Sequence, residues 1–136
     1  MTSSAPETAG PLATRALRGG FLSNVVPALL WVTAIFVGGS SGVPQPQVDI
    51  GLPLDKVNHV VAFLGLQLLS YRAFRYAAPQ RAKAPLRWLA ALTAVLAGVA
   101  LELYQLGLPD RSAELADVLA DSVGAAVGAL VLSLFG

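Results

Sequence analysis

The sequence predicts an all-α protein: a four-helix transmembrane bundle with both termini in the cytoplasm. Three observations predict it. Hydrophobic residues make up 55% of the 136-residue chain and charged residues only 12%, about half the charged share of an ordinary soluble domain. The apolar residues fall into four blocks near the roughly 20 residues needed to span a bilayer. Those blocks lack the strict alternation of a membrane β-barrel, so helices, which satisfy their own backbone groups in lipid, are the expected elements. Mean hydropathy is +0.66.

Residues 1–20, rich in Ala, Ser, Thr and Pro, are expected to form a disordered cytoplasmic tail, and residues 21–136 the membrane domain. The first span is residues 21–39, with Pro27 kinking it or lying in its opening turns. It follows Arg15 and Arg18 as a signal peptide would. It is long for one, and no A-x-A-like cleavage site follows, so it is read as retained. Gly38-Gly39-Ser40-Ser41-Gly42 with Pro44 and Pro46 marks a loop. The second span is residues 57–76. Pro79 to Pro85 forms a short basic loop before the third span, residues 86–106. Gly107-Leu108-Pro109 ends that helix, because proline disfavours helix in the residue before it. The fourth span is residues 113–135, with Ser112 as N-cap and Glu114 in its first turn. No internal repeat is visible.

Seven of the nine Lys and Arg residues lie in the N-terminal tail or around the loop between the second and third spans: Arg15, Arg18, Arg72, Arg75, Arg81, Lys83 and Arg87. The other two loops carry Lys56 and Arg111. The positive-inside rule therefore puts both termini in the cytoplasm, and the bacterial plasma membrane is the expected location. The chain has no cysteine, which excludes disulfides, thiolate chemistry and Cys-ligated metals. No basic patch interleaved with aromatics points to nucleic acid.

The remaining polar residues gather in the outer half. Asp55 and Lys56 head the second span, with His59 one turn deeper than Asp55. Glu102 and Gln105 lie in the last turns of the third. Asp117, Asp121, Gly124 and Gly128 are spaced 4, 3 and 4, one narrow stripe on the fourth helix. Glycines on that stripe are helix-packing residues, so the aspartates face the bundle and not lipid. An unpaired ionised carboxylate at the depth of Asp121 costs several kcal/mol. It must be paired, protonated or wetted.

These pieces together, Asp55-Lys56-x-x-His59-x-x-x-Phe63, Glu102-x-x-Gln105, Pro109-x-Arg111-Ser112, Asp117 and Gly124-x-x-x-Gly128, resemble the VanZ-like family of small bacterial membrane proteins. Order and spacing agree over residues 53–132. Asp121 departs from the pattern, since the family more often has Asn there. The resemblance implies a cell-envelope membrane protein of the teicoplanin-resistance accessory type, linked to glycopeptide antibiotics. It implies a fold and a candidate site, not a reaction.

Each residue has a structural and a functional reading. Asp55 is an N-cap, or the acid that orients His59. His59, the only histidine, is a hydrogen-bonded structural group or a general base. Arg111 recognises a phosphate or carboxylate beside a helix N-terminus, or pairs with Asp117, Asp110 or Glu102. Glu102 and Gln105 tie helices together for about 0.6–2 kcal/mol. His59, Glu102, Asp117 and Asp121 form a conceivable ligand set, but no local motif supports a metal, and neither metal nor cofactor is expected. The favoured function is a non-enzymatic accessory protein that binds or positions a membrane lipid or lipid-linked cell-wall precursor through Lys56, His59, Glu102, Gln105, Arg111, Asp117 and Asp121. The alternatives are a membrane enzyme acting on a lipid head group, with His59 as base and Asp55 as its orienter, and a structural or assembly subunit. The oligomeric state is left open.

Overall fold

The computed structural model describes residues 11–41, 54–109 and 112–135. It is all-helical, with no strand among the described residues: α1 (Pro11–Asn24), α2 (Val26–Ser40), α3 (Leu54–Ala77), α4 (Lys83–Gln105) and α5 (Leu115–Phe135). Three stretches are long and apolar enough to cross a membrane: Arg18–Ser40, Lys83–Gln105 and Leu115–Phe135. At 24 residues α3 has the length but not the composition, because Asp55, Lys56, His59, Gln67, Arg72 and Arg75 interrupt it.

The expected first span is two helices joined at Val25. Pro27 has no N–H to donate to the Ser23 carbonyl, so the chain turns there and restarts with Pro27 in the first turn of α2. The backbone stays nearly continuous, with Val25 N donating to Phe21 O at 2.9 Å and Leu29 N to Val25 O at 3.2 Å. Helix α1 starts at Pro11, inside the segment expected to be disordered. Proline suits a first helical turn, and Leu12, Ala13, Ala16 and Leu17 continue it. The expected tail otherwise falls on residues 1–10, outside the described residues. Pro85 likewise lies in the first turn of α4 and does not end the preceding loop.

Contacts between helices fix their directions. A methyl group on Gly124 would overlap the backbone of Val60 and Leu64, and one on Gly128 would meet Gln67, so α5 runs parallel to α3. Gln67 Nε2 donates to Arg87 O at 3.2 Å, while Glu102 reaches Glu114, so α4 runs antiparallel to both. Trp31 packs on Gly65, Gly20 on Tyr76 and Gly39 on Leu101, which sets α1 and α2 antiparallel to α3. One end of the bundle therefore collects the heads of α3 and α5 and the tails of α2 and α4. The other end carries Arg18, Arg72, Arg75, Arg81, Lys83 and Arg87.

Close packing comes from small side chains. Ala90, Ala94 and Gly98 form the buried side of α4, and Ala120, Gly124, Ala125, Gly128 and Ala129 that of α5. Phe63, Leu66 and Leu101 fill the remaining core. The outward faces are apolar too: Trp88, Leu92, Leu96, Val99 and Leu103 line α4, and Leu115, Leu119, Val123, Val127, Leu130 and Leu134 line α5. Such continuous apolar stripes face lipid, not water.

A polar cluster above an apolar cleft

The head of α3 presents Asp55, Lys56 and His59 along one and a half turns, and α5 presents Asp117 and Asp121 opposite them. Lys56 Nζ donates to Asp55 Oδ2 at 2.9 Å, to Glu114 Oε2 at 3.0 Å and to Asp117 Oδ1. His59 Nδ1 lies 2.8 Å from Asp121 Oδ1, and its Nε2 is 3.8 Å from Asp117 Oδ1. Asp121 is fully buried (0% exposed). The His59 ring lies parallel to that of Phe63 one turn on, with an interplanar angle of 3° and centroids 6.5 Å apart.

Two of the predicted polar residues work behind this cluster. Glu102 Oε2 accepts from the Glu114 amide at 2.7 Å, so a carboxylate from α4 caps the N-terminus of α5. Gln105 Nε2 donates to Gly39 O at 2.9 Å and ties α4 to the end of α2. Three buried oxygens, Gln67 Oε1, Glu102 Oε1 and Asp121 Oδ2, meet no donor among the described residues.

Beside the cluster a cleft of about 440 Å³ opens between α2, α3 and α4, within the range of small-molecule sites. Its walls are apolar: Trp31, Ala34 and Ile35 from α2, Ala62 and Phe63 from α3, and Leu101 from α4. Its mouth is polar, formed by Asp55, Asn58, His59, Gln105, Glu114 and Asp117. Trp31 Nε1 donates to Ala62 O at 2.8 Å, which fixes the indole as a wall and uses its only donor.

Of the residues expected at a site, the structure brings His59, Gln105 and Asp117 to the cleft, with Asp55 at its rim. Lys56 stands behind Asp117, and Glu102 and Asp121 are buried supports. Arg111 lies outside the described residues. Two expected pairings are corrected. Asp55 is not hydrogen-bonded to His59; Asp121 is, because α5 rather than the preceding turn of α3 covers Nδ1. Asp55 turns to Lys56. Nor is Ser112 the residue that caps α5, since Glu102 takes the amide at Glu114. Gly124 and Gly128 lie against α3, at Val60 and Leu64 and at Gln67.

Sequence reasoning missed Trp31, Ala34 and Ile35, because a cleft wall and a lipid-facing wall are both simply apolar. It also missed Gly98, whose missing Cβ leaves room for Asp121: a Cβ there would sit 2.5 Å from Asp121 Oδ2. A signal existed, since Ala90, Ala94, Gly98 and Glu102 recur every four residues, a small-residue stripe ending in a carboxylate much as on α5.

Residues 10–136, nearly the whole chain, match the model of the VanZ/LLP1 family, and the chain belongs to that family. No curated protein matches it. No solved structure matches it either.

Proposed function

We propose that this member of the VanZ/LLP1 family is a non-enzymatic envelope protein that binds an amphiphile, a membrane lipid or lipid-linked cell-wall precursor. In this reading the apolar part of the ligand lies in the cleft between α2, α3 and α4. Its head meets His59, Asp117 and the α4–α5 connection that carries Arg111. The carrying observation is the grading of the cleft, from walls of Trp31, Ile35, Phe63 and Leu101 to a mouth of Asp55, Asn58, His59 and Asp117. A purely aqueous ligand has no use for the walls, and a pure hydrocarbon none for the mouth.

The reading places the protein in the bacterial plasma membrane with α3 as a fourth crossing. Support comes from the packing of α3 alongside α4 and α5, and from the basic side chains collected at the end opposite the cluster. By the positive-inside rule that end is cytoplasmic, so both termini are cytoplasmic and the cleft mouth faces outward. An effect on teicoplanin susceptibility, implied by the family resemblance, would follow from altered handling of a lipid-linked precursor.

The test is native mass spectrometry of the purified protein beside Arg111→Ala, Asp117→Ala and Ala34→Phe. The last fills the cleft from α2 without touching the charges. A defined amphiphile retained by the wild type and lost from folded variants supports the proposal. Retention unchanged in all three, or no retained amphiphile at all, removes it.

A further inference from the structure

We propose that Asp55, His59 and Asp117 form a divalent-cation site at the mouth of the cleft, with His59 Nε2 and one oxygen of each carboxylate as ligands and a further position open to the cleft. One candidate ligand atom from each of the three residues fits within a set spanning 4.8 Å. One imidazole and two carboxylates make a donor set that suits Zn²⁺ and related first-row ions better than Mg²⁺ or Ca²⁺.

A second observation is independent of that spacing. Asp121 is wholly buried, with its Oδ2 turned to Gly98 on α4. Its Oδ1 sits at His59 Nδ1. In the neutral ring that donates from Nδ1 to this carboxylate, the lone pair is on Nε2, the tautomer a metal ligand needs. That nitrogen points at Asp117 Oδ1 across 3.8 Å, too far for a hydrogen bond. Asp117 Oδ1 already accepts from the Lys56 ammonium, so an ion bound here would replace the ammonium on that oxygen and add His59 Nε2 as a ligand. A buried carboxylate that fixes the rear nitrogen of an imidazole is the arrangement that holds metal-ligating histidines in their tautomer.

Lys56 is the cation now among these carboxylates, bonded to Asp55, Asp117 and Glu114. An entering ion displaces the ammonium from Asp55 and Asp117, and Glu114 remains as its partner. Lys56 is thus a built-in competitor that tunes the site. The ion site stands apart from the amphiphile reading. Its consequence for the ligand rests on that reading: the open position makes an oxygen-rich anionic head, phosphate or carboxylate, acceptable at a mouth otherwise lined with acids.

The experiment is calorimetric titration of Zn²⁺ into the untagged full chain in detergent after chelator treatment, beside His59→Gln, Asp121→Asn and Lys56→Met. The expected result is one ion per chain, binding lost in His59→Gln, weakened about 10–100-fold in Asp121→Asn, and tightened in Lys56→Met. The gain in Lys56→Met cannot come from misfolding. No saturable binding, or equal binding in wild type and His59→Gln, overturns the site. Zinc bound without any amphiphile leaves the site standing and removes the proposed function. Amphiphile retained without zinc does the reverse.

Discussion

Replacing Gly124 by alanine tests the packing that creates the site. A Cβ there would lie 2.9 Å from the Leu64 amide nitrogen and 3.1 Å from the Val60 carbonyl carbon, and nearer still to the Val60 oxygen. Carbon contacts are comfortable from about 3.5 Å. Every obstacle is α3 backbone, which has no rotamer to change, so the two helices must part by about 0.5–1 Å, a gap that forfeits a quarter to a half of each dispersion contact across it. Overpacking of this kind costs about 1–3 kcal/mol, a fall in Tm of roughly 3–15 °C for a chain of this length. Gly38→Ala is the control: nothing lies within 4 Å of its Cβ, and alanine favours helix by up to about 1 kcal/mol. Thermal unfolding in detergent, followed by helical circular dichroism, compares the two. If Gly124→Ala unfolds at or above the temperature of Gly38→Ala, α3 and α5 are not packed backbone to backbone and the site geometry built on that contact fails.

Three further outcomes are expected. Gly98→Ala drives a methyl into Asp121 and pushes the carboxylate off His59. Zinc affinity should fall although Gly98 lies outside both cluster and cleft, and unchanged affinity would show that Asp121 does not position the imidazole. Glu102→Ala frees the Glu114 amide and should lower stability by about 0.5–2 kcal/mol, as loss of a cap does, whereas Glu102→Gln keeps an acceptor and most of the stability; equal losses would refute the capping role. Because the chain has no cysteine, Arg81→Cys and Leu108→Cys report orientation directly. In intact spheroplasts an impermeant maleimide should label Leu108→Cys alone, and labelling of Arg81→Cys alone would invert the topology.

Helices were legible in the sequence because apolar run length and Gly-Pro punctuation are local properties. The placement of charge at one end followed from the same reading, and the α5 stripe of Asp117, Asp121, Gly124 and Gly128 already turned inward on helical spacing alone. What could not be read was pairing across helices. Asp55 stands one turn from His59, and sequence distance favoured that pair. The rotation of α5, set by the close approach of Gly124 to Val60, brings Asp121 there instead. Glu102 serves α5 for the same kind of reason: the end of α4 meets the start of α5 across a short connection. Trp31 and Ile35 carried no mark at all, since an apolar residue looks the same whether it faces lipid or a cleft.

The two buried carboxylates now separate. A carboxylate at membrane depth costs about 2.5–3.5 kcal/mol, and a polar tie between helices yields about 0.6–2 kcal/mol. Glu102 has a structural reason to exist, because it caps the positive end of α5 through a charge-assisted bond. Asp121 caps no helix: it holds one histidine and, like Glu102, leaves an oxygen without a donor among the described residues. Replacing both members of a buried polar pair with apolar residues of similar volume is often neutral or stabilising. The double variant His59→Leu/Asp121→Leu should therefore unfold at or above the wild-type temperature while losing zinc and amphiphile, and Glu102→Leu should unfold lower. A double variant markedly less stable than wild type would make Asp121 a tie of the bundle. Stability kept with both ligands lost would mean that the His59–Asp121 pair is maintained for what it binds.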